Sequence, residues 1–178
     1  MLDVRHHGLP SPPDDSNAYE LGSIGGHNIV IACLPKGRYG NTPATTVATN
    51  LMRTFPAIRF GLMVGIGGGI PPKVRLGDVV VSVPKDEFPG VVQWDMGKTE
   101  KGGKFKRTGS LNNPPTLLLT AISKMETEQE LYGSQIPDSL GRFAERFPRL
   151  ASKYLRSDSF EDVLFKASYD HVDPEKAS

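Results

Sequence analysis

The residues best suited to hold a small molecule are Gly65-Ile66-Gly67-Gly68-Gly69-Ile70-Pro71-Pro72, directly after an apolar run. Glycine lacks Cβ, so a glycine-rich backbone can approach a ligand closely and offer its N–H groups to it. Open α/β sheets bind ligands at the carboxyl ends of their strands. Four glycines in positions 65–69 therefore predict a ligand-facing loop; the competing reading is a tight turn that requires positive φ. A dinucleotide fingerprint needs a third glycine where Ile70 stands and must open a helix, whereas Pro71-Pro72 and a valine-rich run follow. A P-loop is excluded because no Gly-Lys-Ser/Thr follows.

Other candidates are weaker. Gln93-Trp94-Asp95 sets an aromatic between two polar groups that can flank a nucleobase; the alternative is a strand with one buried aromatic. Asp78, after Gly77, is expected to bond backbone rather than substrate. Cys33 lies in the apolar run Ile29–Leu34 and is expected to be a buried structural thiol. His6-His7 has no third ligand at a useful spacing, so no metal is expected there. His27 is expected in an exposed turn. The basic stretch Lys101–Arg107 reads as a solvated hairpin, because one aromatic interleaves it and no stacking platform is evident. Met125-Glu126 reads as the charged side of a helix.

The elements that must position these residues fit into 178 residues, which allow one domain with one core. Lys and Arg number 21 against 20 Asp and Glu, so no net field is expected to hold nucleic acid or an anionic membrane. No apolar run approaches a membrane span and the start lacks the apolar stretch of a secretory signal, so a cytoplasmic protein is expected. The single cysteine forms no internal disulfide. Gly and Pro make up 34 of 178 residues, about 19% against roughly 12% in average composition, so loops are plentiful.

Residues 1–17 show no hydrophobic period and are expected to be a flexible lead-in. Tyr19–Ile24 and Ile29–Leu34 read as two strands joined by a turn over Gly25-Gly26-His27-Asn28. Asn41-Thr42-Pro43 marks a helix start with Thr as the cap, and Ala44, Val47, Ala48, Leu51, Met52 and Phe55 form its apolar stripe. Ile58–Gly65 is too unbroken to alternate with solvent and predicts a central strand covered on both faces. Gly77–Val83 and Val91–Asp95 predict further strands. Asn113-Pro114-Pro115 opens a second helix, residues 138–156 carry a shorter helical stretch interrupted at Pro148, and 157–178 lose periodicity.

Taken in order, Tyr19-Glu20-Leu21-Gly22, the helix at 42–55, Gly65-Ile66-Gly67-Gly68-Gly69-Ile70 and Arg75-Leu76-Gly77-Asp78-Val79-Val80-Val81-Ser82 resemble the nucleoside phosphorylase superfamily. Through IGGHNIVIACLPKGRYG, RFGLMVGIGGGIP and GVVQWDMGKT the chain is more similar still to fungal multidomain proteins in which such a domain precedes ankyrin, TPR or NTPase modules. The resemblance covers most of residues 17–172. It implies a three-layer α/β/α domain with a mixed central sheet over 18–156, incomplete at both ends, between the lead-in and an irregular tail.

It also implies cleavage of a ribosyl N-glycosidic bond by phosphate or water, through an oxocarbenium-like transition state. Gly65, Ile66, Gly67 and Gly68 would line the nucleoside; Gly37, Tyr39 and Gly40 match a second substrate-side loop; Gln93 and Asp95 would flank the base. Phosphate is the second small molecule implied; no organic cofactor or metal is. Ile66 stands where phosphorylases carry a hydroxyl and Met63 where some carry Arg, which favours water over phosphate. The Glu-Met-Glu stretch that grips ribose and the acid that serves the base find no match, so catalytic residues stay unassigned and turnover is expected to be low or absent. The competing expectation is a non-catalytic ligand-sensing or protein-interaction module. Exposed strand edges are expected to favour association of copies.

Overall fold

The computed structural model describes residues 2–157 and 160–169. Helices and small antiparallel sheets both occur, so the chain mixes α and β structure. It divides into two compact units, one ending at Val64 and one beginning at Gly65.

The first unit holds β1 (Val4–Arg5), β2 (Tyr19–Ile24), β3 (His27–Ala32) and α1 (Asn41–Thr54). β2 and β3 form a hairpin with Ile24 opposite His27, so the connection is the two residues Gly25 and Gly26. Both have positive φ, 55° and 82°, the primed turn whose twist matches that of the strands. The turn is thus tighter than the sequence reading had it, and His27 is the first residue of β3, though exposed as expected. β3 ends at Ala32, which leaves Cys33 beyond the ladder and exposed rather than buried.

The lead-in is not loose. β1 pairs with β2, setting Val4 opposite Ser23 and Arg5 opposite Gly22. Leu2 (7% exposed) and Leu21 (8%) are the buried large apolar side chains among the described residues. A Cβ on Gly22 would stand 2.3 Å from the Val4 carbonyl oxygen and 2.6 Å from Leu2, so glycine is what lets β1 dock. Farther along, Asp15 accepts hydrogen bonds from the Tyr19 hydroxyl at 2.6 Å, the Asn17 N–H at 2.9 Å and the Thr54 hydroxyl. Asn17 Nδ2 donates to the Val47 carbonyl at 2.9 Å, Arg53 pairs with Asp14 at 2.9 Å, and Tyr19 meets Phe55 edge-on at 4.9 Å. The half-buried face of α1, Ala44, Val47, Leu51 and Phe55, is thereby laid against the lead-in, while Ala48 and Met52 face solvent. The helix is capped by Gly40 at φ 99°, with no side-chain cap from Thr42.

The second unit holds β4 (Gly97–Thr99), β5 (Phe105–Arg107), α2 (Thr116–Tyr132), α3 (Ile136–Arg146) and α4 (Pro148–Tyr154). β4 and β5 make the expected solvated hairpin. Pro148 opens α4 because a missing N–H costs nothing in the first turn. The stretches 58–65, 77–83 and 91–95 lie outside every strand, against expectation. Met63 is 94% exposed, Val80 72% and Trp94 81%. A covered central strand needs a hydrogen-bonded neighbour on each side; the ladders present among the described residues are β1-β2-β3, β4-β5 and the bridge Lys85–Phe88, and none enters these runs. A single mixed central sheet is therefore not formed among the described residues.

Candidate functional site

The glycine loop separates its two competing readings. None of Gly65, Gly67, Gly68 or Gly69 has positive φ, so no left-handed turn requires them. A Cβ on Gly65, Gly67 or Gly68 would meet nothing within 4 Å, and Ile66 is fully exposed. Gly69 alone is crowded, with Val74 Cγ1 2.6 Å from its Cβ position. The loop is anchored at its far end, where the Lys73 and Val74 N–H groups donate to the Ile70 carbonyl at 3.1 and 3.2 Å.

Beyond it the turn Arg75–Asp78 is the best-organised polar feature of the second unit. Asp78 Oδ2 accepts the Arg75 backbone N–H at 2.8 Å, the Arg75 guanidinium donates to Oδ1 at 3.1 Å, and the Asp78 N–H closes the turn onto the Arg75 carbonyl at 3.1 Å. Gly77 takes φ 90°. Asp162 Oδ1 accepts the Leu76 N–H at 2.6 Å, and Arg156 donates to the Leu76 carbonyl at 3.0 Å, to Asp162 Oδ2 at 3.0 Å and to the Phe160 carbonyl at 3.3 Å. Parts of the tail that read as irregular are thus tied to the turn.

These bonds set the protonation states. The Arg75 backbone N–H, then its guanidinium, hold the Asp78 carboxyl below the ordinary aspartate range. The Leu76 N–H does the same for Asp162, exceeding the opposing desolvation, and Arg156 adds to the lowering. The hydrogen bond to Asp78 raises Arg75. An ionised, bonded carboxylate of this kind positions backbone and is unsuited to donate a proton. Asp78 therefore has the backbone-bonding role expected of it.

An open cleft beside the turn is lined by Lys73, Arg75, Asp78, Val80, Ser134 and Pro137 among others. Gly65, Ile66, Gly67 and Gly68 do not line it, and they stand on open surface. Gln93 and Asp95 are exposed on either side of the exposed Trp94 and outside any strand. Gly37 and Gly40 belong to the first unit, where φ of 78° and 99° explains the glycines by the turn before α1; Tyr39 between them is 84% exposed. A shallow polar surface follows on α1, lined by Asn41, Thr42, Thr45, Thr46, Thr49 and Asn50. The candidates thus fall in both units. Sequence reasoning missed Asp15, Asn17, Arg156 and Asp162; Asp15 and Asn17 carry the local signal of an Asx turn, whereas Arg156 and Asp162 lie about 80 residues from Leu76 and carry none.

Three comparisons with known proteins bear on these residues. No protein-family model matches the chain. No solved structure matches it. It is 52% identical over 183 residues, 97% of its own length, to a nucleotide-binding leucine-rich repeat (NLR)-like protein of Hyaloscypha variabilis. The chain spans 18% of the length of that curated relative, and at that identity it is similar to a segment of a fungal NLR-like protein.

Proposed function

We propose that this chain is a nucleoside-binding segment of phosphorylase type within an NLR-like protein, acting in the cytoplasm as a ligand sensor rather than a turnover enzyme. The observation that carries the reading is the glycine loop: Gly65, Gly67 and Gly68 have ordinary φ and open space at the Cβ position. Neither turn geometry nor packing accounts for them, and close approach by a ligand does. The similar protein is named for nucleotide binding and leucine-rich repeats, and this segment would serve as a binding part of such a protein. Asp78, the carboxylate next to the loop in sequence, is occupied by Arg75, which argues against acid catalysis there.

The test is titration of purine and pyrimidine nucleosides, with and without phosphate, followed by amide resonances of 65–69 and by release of free base. Perturbation of those amides without base release is expected. Base release overturns the sensing role in favour of N-ribosyl cleavage, and release only with phosphate also overturns the argument from Ile66 and Met63. Amides unmoved by every nucleoside overturn the cradle itself.

A further inference from the structure

The β4–β5 ribbon sets Lys98 directly opposite Lys106. Like charges in directly opposed positions destabilise an antiparallel pair, and a ribbon of three residues per strand has little to offset it. The structure offsets it with one carboxylate: Glu100 Oε1 lies 3.9 Å from Lys98 Nζ and 3.5 Å from Lys106 Nζ. Glu100 and Lys104 extend the same ladder, the Glu100 N–H donating to the Lys104 carbonyl at 2.9 Å. Lys101 and Lys104 make no ion pair among the described residues.

The other face carries the ribbon's one aromatic ring and stays exposed. Phe105 lies over Gly97, where a Cβ would stand 2.6 Å from its ring, and the Arg107 guanidinium sits 5.1 Å from the centre of the Phe88 ring. Of the 21 cations and 20 carboxylates in the chain, residues 97–107 hold five and one, so the remainder is net negative and the ribbon is a positive island.

We infer that the Lys98–Lys106 face binds the sugar–phosphate backbone of a nucleic acid, without reading bases, and that Glu100 is the internal counter-ion the phosphate displaces. Lysines are point charges that suit phosphate without the planar fork of arginine, and no free aromatic on this face offers base stacking. A membrane surface fits less well, because a few lysines without an apolar anchor give marginal attachment. This departs from the near-neutral charge of the whole chain, which averages the island away.

The test is fluorescence anisotropy of the full chain with a labelled random-sequence duplex of about 20 base pairs. With Lys98, Lys104 and Lys106 engaged, affinity should fall roughly 40-fold between about 50 and 200 mM salt. Lys98→Ala with Lys106→Ala should reduce the salt slope by about 1.8. Lys98→Arg with Lys106→Arg should preserve binding, which separates charge from folding of the ribbon. Glu100→Gln should tighten binding by up to about fivefold, the equivalent of one exposed ion pair. Salt-insensitive binding, an arginine variant as weak as the alanine one, or attachment to phosphatidylserine vesicles in place of the duplex would each overturn the proposal.

Discussion

Between Tyr19 and Ala32 each strand residue has a partner across the hairpin, and Leu21 is buried at its centre. Between Gly77 and Val83 the residues are richer in β-branched side chains, four valines in seven against three isoleucines and one valine in the fourteen of the hairpin, yet none is in a ladder and Val79 to Val81 face solvent. Composition does not separate these regions; distance to a partner does. The hairpin carries its partner two residues away, across Gly25 and Gly26, whereas a central strand must recruit neighbours through long loop closures. β-Propensity describes a side chain that fits a pleated surface and does not by itself supply the surface.

The sharpest way to break this contrast is to cut into the paired region. Leu21→Ala should cost about 2–5 kcal/mol, the range for a buried leucine, read from urea unfolding monitored by far-UV circular dichroism; a loss below half a kilocalorie would mean that the hairpin is not where the first unit holds its stability. Gly22→Ala should follow at about 1–3 kcal/mol, because its Cβ would collide with the Val4 carbonyl, which cannot move aside, as well as with the Leu2 side chain. Gly26→Ala should cost about 1–2 kcal/mol for the left-handed φ alone. At the unpaired loop, Gly67→Ala should stay within about 0.5 kcal/mol of the parent while weakening nucleoside binding. A large stability loss there would assign the glycine to folding.

Acid should act on both regions through their carboxylates. Asp78 and Asp162 are held low chiefly by backbone N–H groups; for Asp15, desolvation is the largest influence and pushes upward, but hydrogen bonds from Thr54, Tyr19 and Asn17 outweigh it. A depressed carboxyl stabilises the fold fully above its unfolded value, about 3.9, and that contribution disappears as pH falls through the folded value. The protection factor of the Leu76 amide, its exchange rate divided into the intrinsic rate at each pH, should therefore be constant from neutral pH down to about 5 and fall only below about 4. Loss of protection near pH 6 would point to a different group.

What the sequence made legible was local. The Gly25-Gly26 turn, the helix at 41–54, the break at Pro148 and the backbone role of Asp78 each depend on residues within a few positions of one another. Tyr19 could be placed on a strand, but nothing near it announced that its hydroxyl bonds Asp15 and its ring meets Phe55. The apolar runs at 58–65 and 77–83 were misread as covered strands for the same reason, since burial is a property of what lies opposite. Of the candidate site, the glycines were found from sequence, whereas the Asp162 and Arg156 ties to Leu76, from far along the chain, were not.

Cys33, just past the end of β3, is the sole thiol of the chain and lies open to solvent. In aerated buffer two molecules can be stapled through it into a covalent pair that gel filtration would report as a dimer, so any measurement of self-association has to be run in reductant. The same accessibility is useful: one maleimide dye placed there, with no engineering of the sequence, would follow the fraying of the hairpin beside it.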